Sequence, residues 1–135
     1  GFSDVEPWLP LSPDYPEMNV AAQESDPLSQ LHLVRLLLRL RKQYPQLVTA
    51  PHHIVHRDEY SLAFERPPAP SGPGTIVVAL NLSNRPHVLQ VRRHRAIMLA
   101  ATRPGGMRRP EDAQLQWAES GLQLKAHEGV MVLMW

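Results

Sequence analysis

The chain has 135 residues, 43% hydrophobic and 20% charged, with a formal net charge of +1. That size suits one domain, or a small domain with part of another, and the near-neutral balance gives no overall attraction for nucleic acid. Cysteine is absent, which excludes a disulfide framework, a thiolate zinc site and a cysteine nucleophile, and no apolar run reaches the roughly 18 residues of a membrane span.

Residues 1–25 carry neither helical nor strand periodicity. Pro7, Pro10, Pro13 and Pro16 fix φ and remove backbone donors, so an extended or turning arm is predicted. Phe2, Trp8, Leu9, Leu11, Tyr15, Met18 and Val20 are interleaved with these prolines and need burial against some surface. Residues 26–44 predict a helix. Asp26 is the expected N-cap, Pro27 suits the first helical position, and Pro45 stops the run. On a helical wheel Leu31, Leu33, Val34, Leu36, Leu37, Leu38 and Leu40 spread over more than half the circumference. Such a helix is expected to be buried on two sides, against two different bodies.

From residue 51 the pattern changes to short β-branched or alternating runs: HHIVH, YSLAFER, TIVVALNL, HVLQV, AIMLAA, LQWA, GLQLKA and VMVLMW. Turn signals separate them, among them Arg57-Asp58-Glu59, Pro104-Gly105-Gly106 and Glu119-Ser120-Gly121. Seven or eight strands at this spacing predict an antiparallel β-sandwich of Greek-key type, and the apolar run Ile76–Leu80 predicts a central strand covered on both faces. The expected organisation is therefore mainly β: residues 1–50 form the Pro-rich arm and one long helix, and residues 51–135 the sandwich.

Several motifs invite chemistry. His52, His53 and His56 look like a metal cluster, but on a strand His52 and His56 lie about 13 Å apart, too far to share one ion. Surface histidines are expected, with no metal and no other cofactor. HRDEY lacks the asparagine of a kinase catalytic loop, since Ala63 stands there, and reads as a hairpin turn. Arg92–Arg95 with Arg108 and Arg109 forms a local basic patch without interleaved aromatics, which reads as a solvated strand end. Asn81-Leu82-Ser83 is a formal glycosylation acceptor. Trp8, Tyr15 and Phe2 offer flat apolar faces that stack on sugar rings, although packing of the arm is the favoured reading. No pair of carboxylates has a context that places it for glycosidic chemistry. The residues supply no catalytic constellation.

Taken together, Gly1-Phe2-Ser3, Pro7-Trp8-Leu9-Pro10, Asn19-Val20-Ala21-Ala22-Gln23 and the helix from Arg35 through Lys42 resemble the end of the catalytic barrel in the α-amylase family of glycoside hydrolases, in its α-glucosidase and oligo-1,6-glucosidase branch. Val77–Ser83 and His127–Leu133 are similar to that family's C-terminal β domain. The resemblance is specific over residues 1–47 and looser beyond. It implies that the arm runs from the rim of a (β/α)8 barrel down its flank, and that the helix is the barrel's last.

The resemblance also implies a complete enzyme that cleaves or transfers α-glucosidic bonds with retention. The family's catalytic Asp, Glu and second Asp have no matching positions here, so no catalytic residue is assigned and the chain alone is expected to be inactive. Phe2 is the one substrate-binding candidate, at the barrel rim. The expected partners are the missing barrel and an α-glucoside or maltooligosaccharide, with no nucleic acid and no membrane, in a bacterial cytoplasm. Two alternatives stand beside this: a stand-alone sugar-binding β module, and part of a non-catalytic amylase-like transporter subunit.

Overall fold

The computed structural model describes residues 3–68, 70, 72–92, 94–103, 106–108 and 114–135. Three helices come first: α1 (Val20–Ser25), α2 (Gln30–Gln43) and α3 (Gln46–Thr49). Nine strands follow among the described residues: β1 (His53–Arg57), β2 (Ser61–Arg66), β3 (Thr75–Asn81), β4 (His87–Leu89), β5 (Ala96–Arg103), β6 (Gly106–Arg108), β7 (Gln116–Ala118), β8 (Gly121–Leu124) and β9 (Gly129–Met134). No helix among the described residues is long and apolar enough to cross a membrane.

The strands form the antiparallel sandwich that their alternation predicts. One sheet has the order β1-β2-β3-β9-β5-β6 and the other β4-β8-β7. Ala63, Val77, Ala79, Ala101, Val130 and Val132 of the larger sheet face Leu89, Leu122 and Leu124 of the smaller one, and these close the core. β3 lies between β2 and β9, and its run is buried on both faces at Ile76 and Val77, as the unbroken apolar stretch requires. Gly121 turns β7 into β8 where the Leu89 carbonyl approaches so closely that a Cβ would overlap it.

The N-terminal part differs from expectation in three places. The arm ends in helix α1, because Asn19 accepts the Ala22 N–H at 2.9 Å while its amide donates to the Tyr15 and Pro16 carbonyls. One side chain thus caps the helix and folds the Pro-rich turn back on it. α2 begins at Gln30 behind an N-cap at Ser29, not at Asp26. The Asp26 carboxylate accepts instead from Leu28 N at 2.9 Å. The backbone of 28–29 pairs with the sheet: Met107 N donates to Leu28 O at 2.9 Å and Ser29 bridges Gly106. β6 itself is formed by pairing with β5, Arg103 to Gly106 through Ala101 to Arg108, and it begins at Gly106, on a predicted turn. Gly106 is required there because a Cβ would overlap the Leu28 carbonyl.

Candidate functional site

The third difference is α3, a short helix beyond Pro45 where the helical run was expected to stop; the candidate site lies along α2. Leu33, Leu36 and Leu40 recur at helical spacing and turn toward this chain's own sheet, where Leu40 is only 6% exposed. Val34, Leu37 and Leu38 lie on a second stripe, continued by Arg41 at the i+7 position, and Leu38 is 55% exposed. The helix is therefore covered on one of its two apolar sides within this chain.

Beneath the second stripe lies a groove of about 380 Å³. Its floor is the cross-strand row Phe64, Val78 and Met131, which the register of β2, β3 and β9 places side by side on the face opposite the sandwich core. Leu47 of α3 closes one end. α3 is fixed by Gln46, which is fully buried: its side-chain amide donates to Gly74 O at 2.7 Å and its backbone carbonyl accepts from Arg66 Nε at 3.1 Å. The arm adds further outward apolar surface. Trp8 is 91% exposed, and Leu9, Met18 and Val20 are also exposed. Val5, Leu11 and Tyr15 face a hollow of about 780 Å³ inside the arm's curl. Phe2, the predicted substrate-binding residue, lies outside the described residues.

A second cluster is polar. His56 on β1, Asp58 in the β1–β2 turn and His87 on β4 converge, with one donor atom from each inside 4.8 Å. Asp58 Oδ2 accepts from His87 Nε2 at 2.7 Å and from His56 Nε2 at 3.2 Å. Asp58 Oδ1 accepts from Tyr60 N, Ser61 N and Ser61 Oγ at 2.7–2.9 Å. The His87 ring first, then the Tyr60 amide, hold the carboxyl well below the usual carboxylate range; desolvation opposes them less strongly, and the Ser61 hydroxyl and amide add to the lowering.

The cluster ties the larger sheet to the smaller one. It suits protons better than a metal ion, and the hydrogen bonding says why. Gln90 N donates to His56 Nδ1 at 3.1 Å, so that nitrogen is an acceptor and the proton of the neutral ring sits on Nε2. A metal bound at Nε2 would move that proton to Nδ1, directly opposite the Gln90 N–H. His52 and His53 take no part: His52 meets the edge of Phe64, and His53 approaches Glu65 at 3.7 Å. His87 carries no local sequence signal, since sandwich closure alone brings it to Asp58.

The remaining motifs resolve as structure. Asn81 is 2% exposed, and its amide donates to Arg85 O and Lys125 O at 2.8 Å, so the formal glycosylation acceptor has both protons engaged inside the fold. Arg108 pairs with Glu128 at 3.4 Å and Arg95 lies over the Trp135 ring at 5.6 Å. Arg92 and His94 are exposed, while Arg93 and Arg109 lie outside the described residues.

No family model matches the chain. It is 32% identical over 95 residues to an oligo-1,6-glucosidase of Parageobacillus thermoglucosidasius, a match covering 70% of this chain and 16% of that protein. It is 34% identical over 89 residues to a glucan 1,6-alpha-glucosidase of Streptococcus dysgalactiae subsp. equisimilis, covering 65% and 16%. An alpha-glucosidase of Candida albicans is 47% identical over 47 residues. Among solved structures, a trehalulose synthase mutant in complex with Tris superposes over 100% of this chain with a TM-score of 0.81 at 23% identity, and 23% of that chain is covered. The trehalulose synthase of Pseudomonas mesoacidophila MX-45 in its monoclinic form gives 0.77 over 96% of this chain. The chain thus matches about one sixth of the length of the two bacterial glucosidases, 8% of the Candida albicans one and under a quarter of the structures.

Proposed function

The chain belongs to the α-amylase family of glycoside hydrolases, as a C-terminal part of its α-glucosidase branch, and from that premise we propose that it is the docking and stabilising portion of an enzyme acting on α-glucosidic bonds. The complete enzyme cleaves or transfers such bonds with retention, on an α-glucoside or maltooligosaccharide. The catalytic carboxylates belong to the (β/α)8 barrel outside these residues. Residues 1–50 belong to that barrel, with α2 as its last helix, and residues 51–135 form the β domain that caps its side. A cytoplasmic setting is part of this reading.

The observation that carries it is the second apolar stripe of α2. Val34, Leu37 and Leu38 form one uncovered face over an apolar groove, beside an arm whose Trp8 stands free. Full burial of such side chains is worth about 1.5–3 kcal/mol each, so a folded enzyme has strong reason to cover them. Exposed contiguous apolar surface of this kind marks an interaction site. The test is direct. The purified 135-residue chain is expected to show no turnover of p-nitrophenyl α-glucoside, to bind hydrophobic dye and to self-associate. Turnover by the pure chain, or strictly monomeric behaviour without dye binding, overturns the proposal.

A further inference from the structure

The groove under α2 has a charged end. Arg41 and Arg66 both line it, one from the helix and one from β2. Each reaches a carbonyl of successive residues of α3: Arg41 Nη1 lies 3.5 Å from Leu47 O and Arg66 Nε donates to Gln46 O at 3.1 Å. Each guanidinium carries five N–H donors, so most of this donor capacity points elsewhere. Among the described residues no Asp or Glu lines the groove and neither arginine stands in an ion pair.

While the groove is open, water solvates both cations. Covering it removes that water. A guanidinium desolvated without a counter-charge is strongly unfavourable, whereas a paired, fork-shaped contact to a carboxylate offsets the loss. Whatever covers Val34, Leu38 and Phe64 must therefore also bring negative charge to the α3 end.

We infer that the occupant of this groove is an apolar segment of the same enzyme, outside these 135 residues, that carries an Asp or Glu side chain seated between Arg41 and Arg66. The inference rests on the docking reading above and specifies its chemistry. The groove is too small and too apolar at its floor for a fully charged partner. The two guanidiniums that line it suit one carboxylate that accepts from both.

The experiment uses the complete enzyme carrying Arg41→Lys or Arg66→Lys, which keeps the positive charge and introduces a reactive amine. A zero-length carbodiimide reagent then joins that amine to any carboxylate in contact, and peptide mapping locates the bond. The expected result is a new amide between position 41 or 66 and an Asp or Glu outside residues 1–135, formed within one molecule and absent from the wild type. Three results overturn the inference: no new link in variants that melt like the wild type, a link only to a carboxylate within these residues, or a link only between two copies of the enzyme. Leu38→Asp in the complete enzyme separates the two levels. If it destabilises the enzyme while no link forms, docking stands and the carboxylate falls. If it changes nothing, the docking reading itself falls.

Discussion

In the sandwich, Leu89, Leu122 and Leu124 are closed off by Val77, Ala79 and Val132 of the facing sheet, whereas in residues 3–43 Trp8, Met18, Val34 and Leu38 face outward. Both regions are rich in large apolar side chains, so composition does not separate them. What differs is where the covering surface lies. For the strands it is another part of the same chain, reached by antiparallel pairing. For α2, among the described residues, the Leu33–Leu36–Leu40 side is the covered one, while Val34, Leu37 and Leu38 border an open groove. Local order does not need that partner, because Asn19 and Ser29 cap α1 and α2 from within. A segment can thus be well formed at the level of hydrogen bonds and still be incomplete at the level of packing.

Substitutions on the two sides should break this contrast unequally. The largest effect is expected in the core: Leu122→Ala should cost about 2–5 kcal/mol, measured by urea unfolding of the isolated chain. A cost near zero would mean that the two sheets do not pack on one another. Next comes Asp58→Asn, which removes the acceptor shared by His56 and His87 and should lower the unfolding midpoint by less than the core truncation. Its pH dependence has a fixed sign. Because the folded carboxyl is held below its ordinary value, its contribution is complete above the unfolded value of roughly 3.9 and fades as pH falls toward the folded value. The wild type should therefore lose its advantage over the variant in that acid window. An advantage that instead grew on acidification would contradict the clamp.

Ser29→Ala should be smaller, about 1 kcal/mol, since it removes a cap whose hydroxyl also donates to Gln23 O at 2.7 Å. Circular dichroism at 222 nm would register the fraying of α2 together with that loss. The smallest effect is expected where the chain is uncovered. In the isolated chain Leu38→Gln should stay within about 0.5 kcal/mol while reducing self-association by sedimentation. A loss of several kcal/mol there would place Leu38 in a packed environment and reverse the contrast.

Much of the sandwich was legible because strands advertise themselves by alternation and by turns, and eight apolar runs correspond to eight of the strands. β6 was not, because it is only three residues long, pairs with β5 across the very turn that was predicted there, and begins on a glycine that reads locally as part of that turn. α1 was hidden behind the prolines, although Asn19 before Val20-Ala21-Ala22-Gln23 is a cap signal that could have been used. The width of the apolar face of α2 could be read on a wheel, but not which stripe this chain would cover. The Asp58 cluster was beyond local reading: His87 lies 29 residues away and faces Asp58 only after the smaller sheet closes over the larger.

The larger sheet ends at β6 on one side, where residues Leu28 and Ser29 occupy backbone groups that would otherwise be open. It ends at β1 on the other, where a register shift between Ile54 and His56 interrupts the ladder. Plugged and bulged borders resist strand-by-strand addition of further molecules. The isolated chain should then cluster through its apolar helix face into amorphous, reversible assemblies rather than growing fibrils, so that mild detergent would disperse them while the sandwich stays folded.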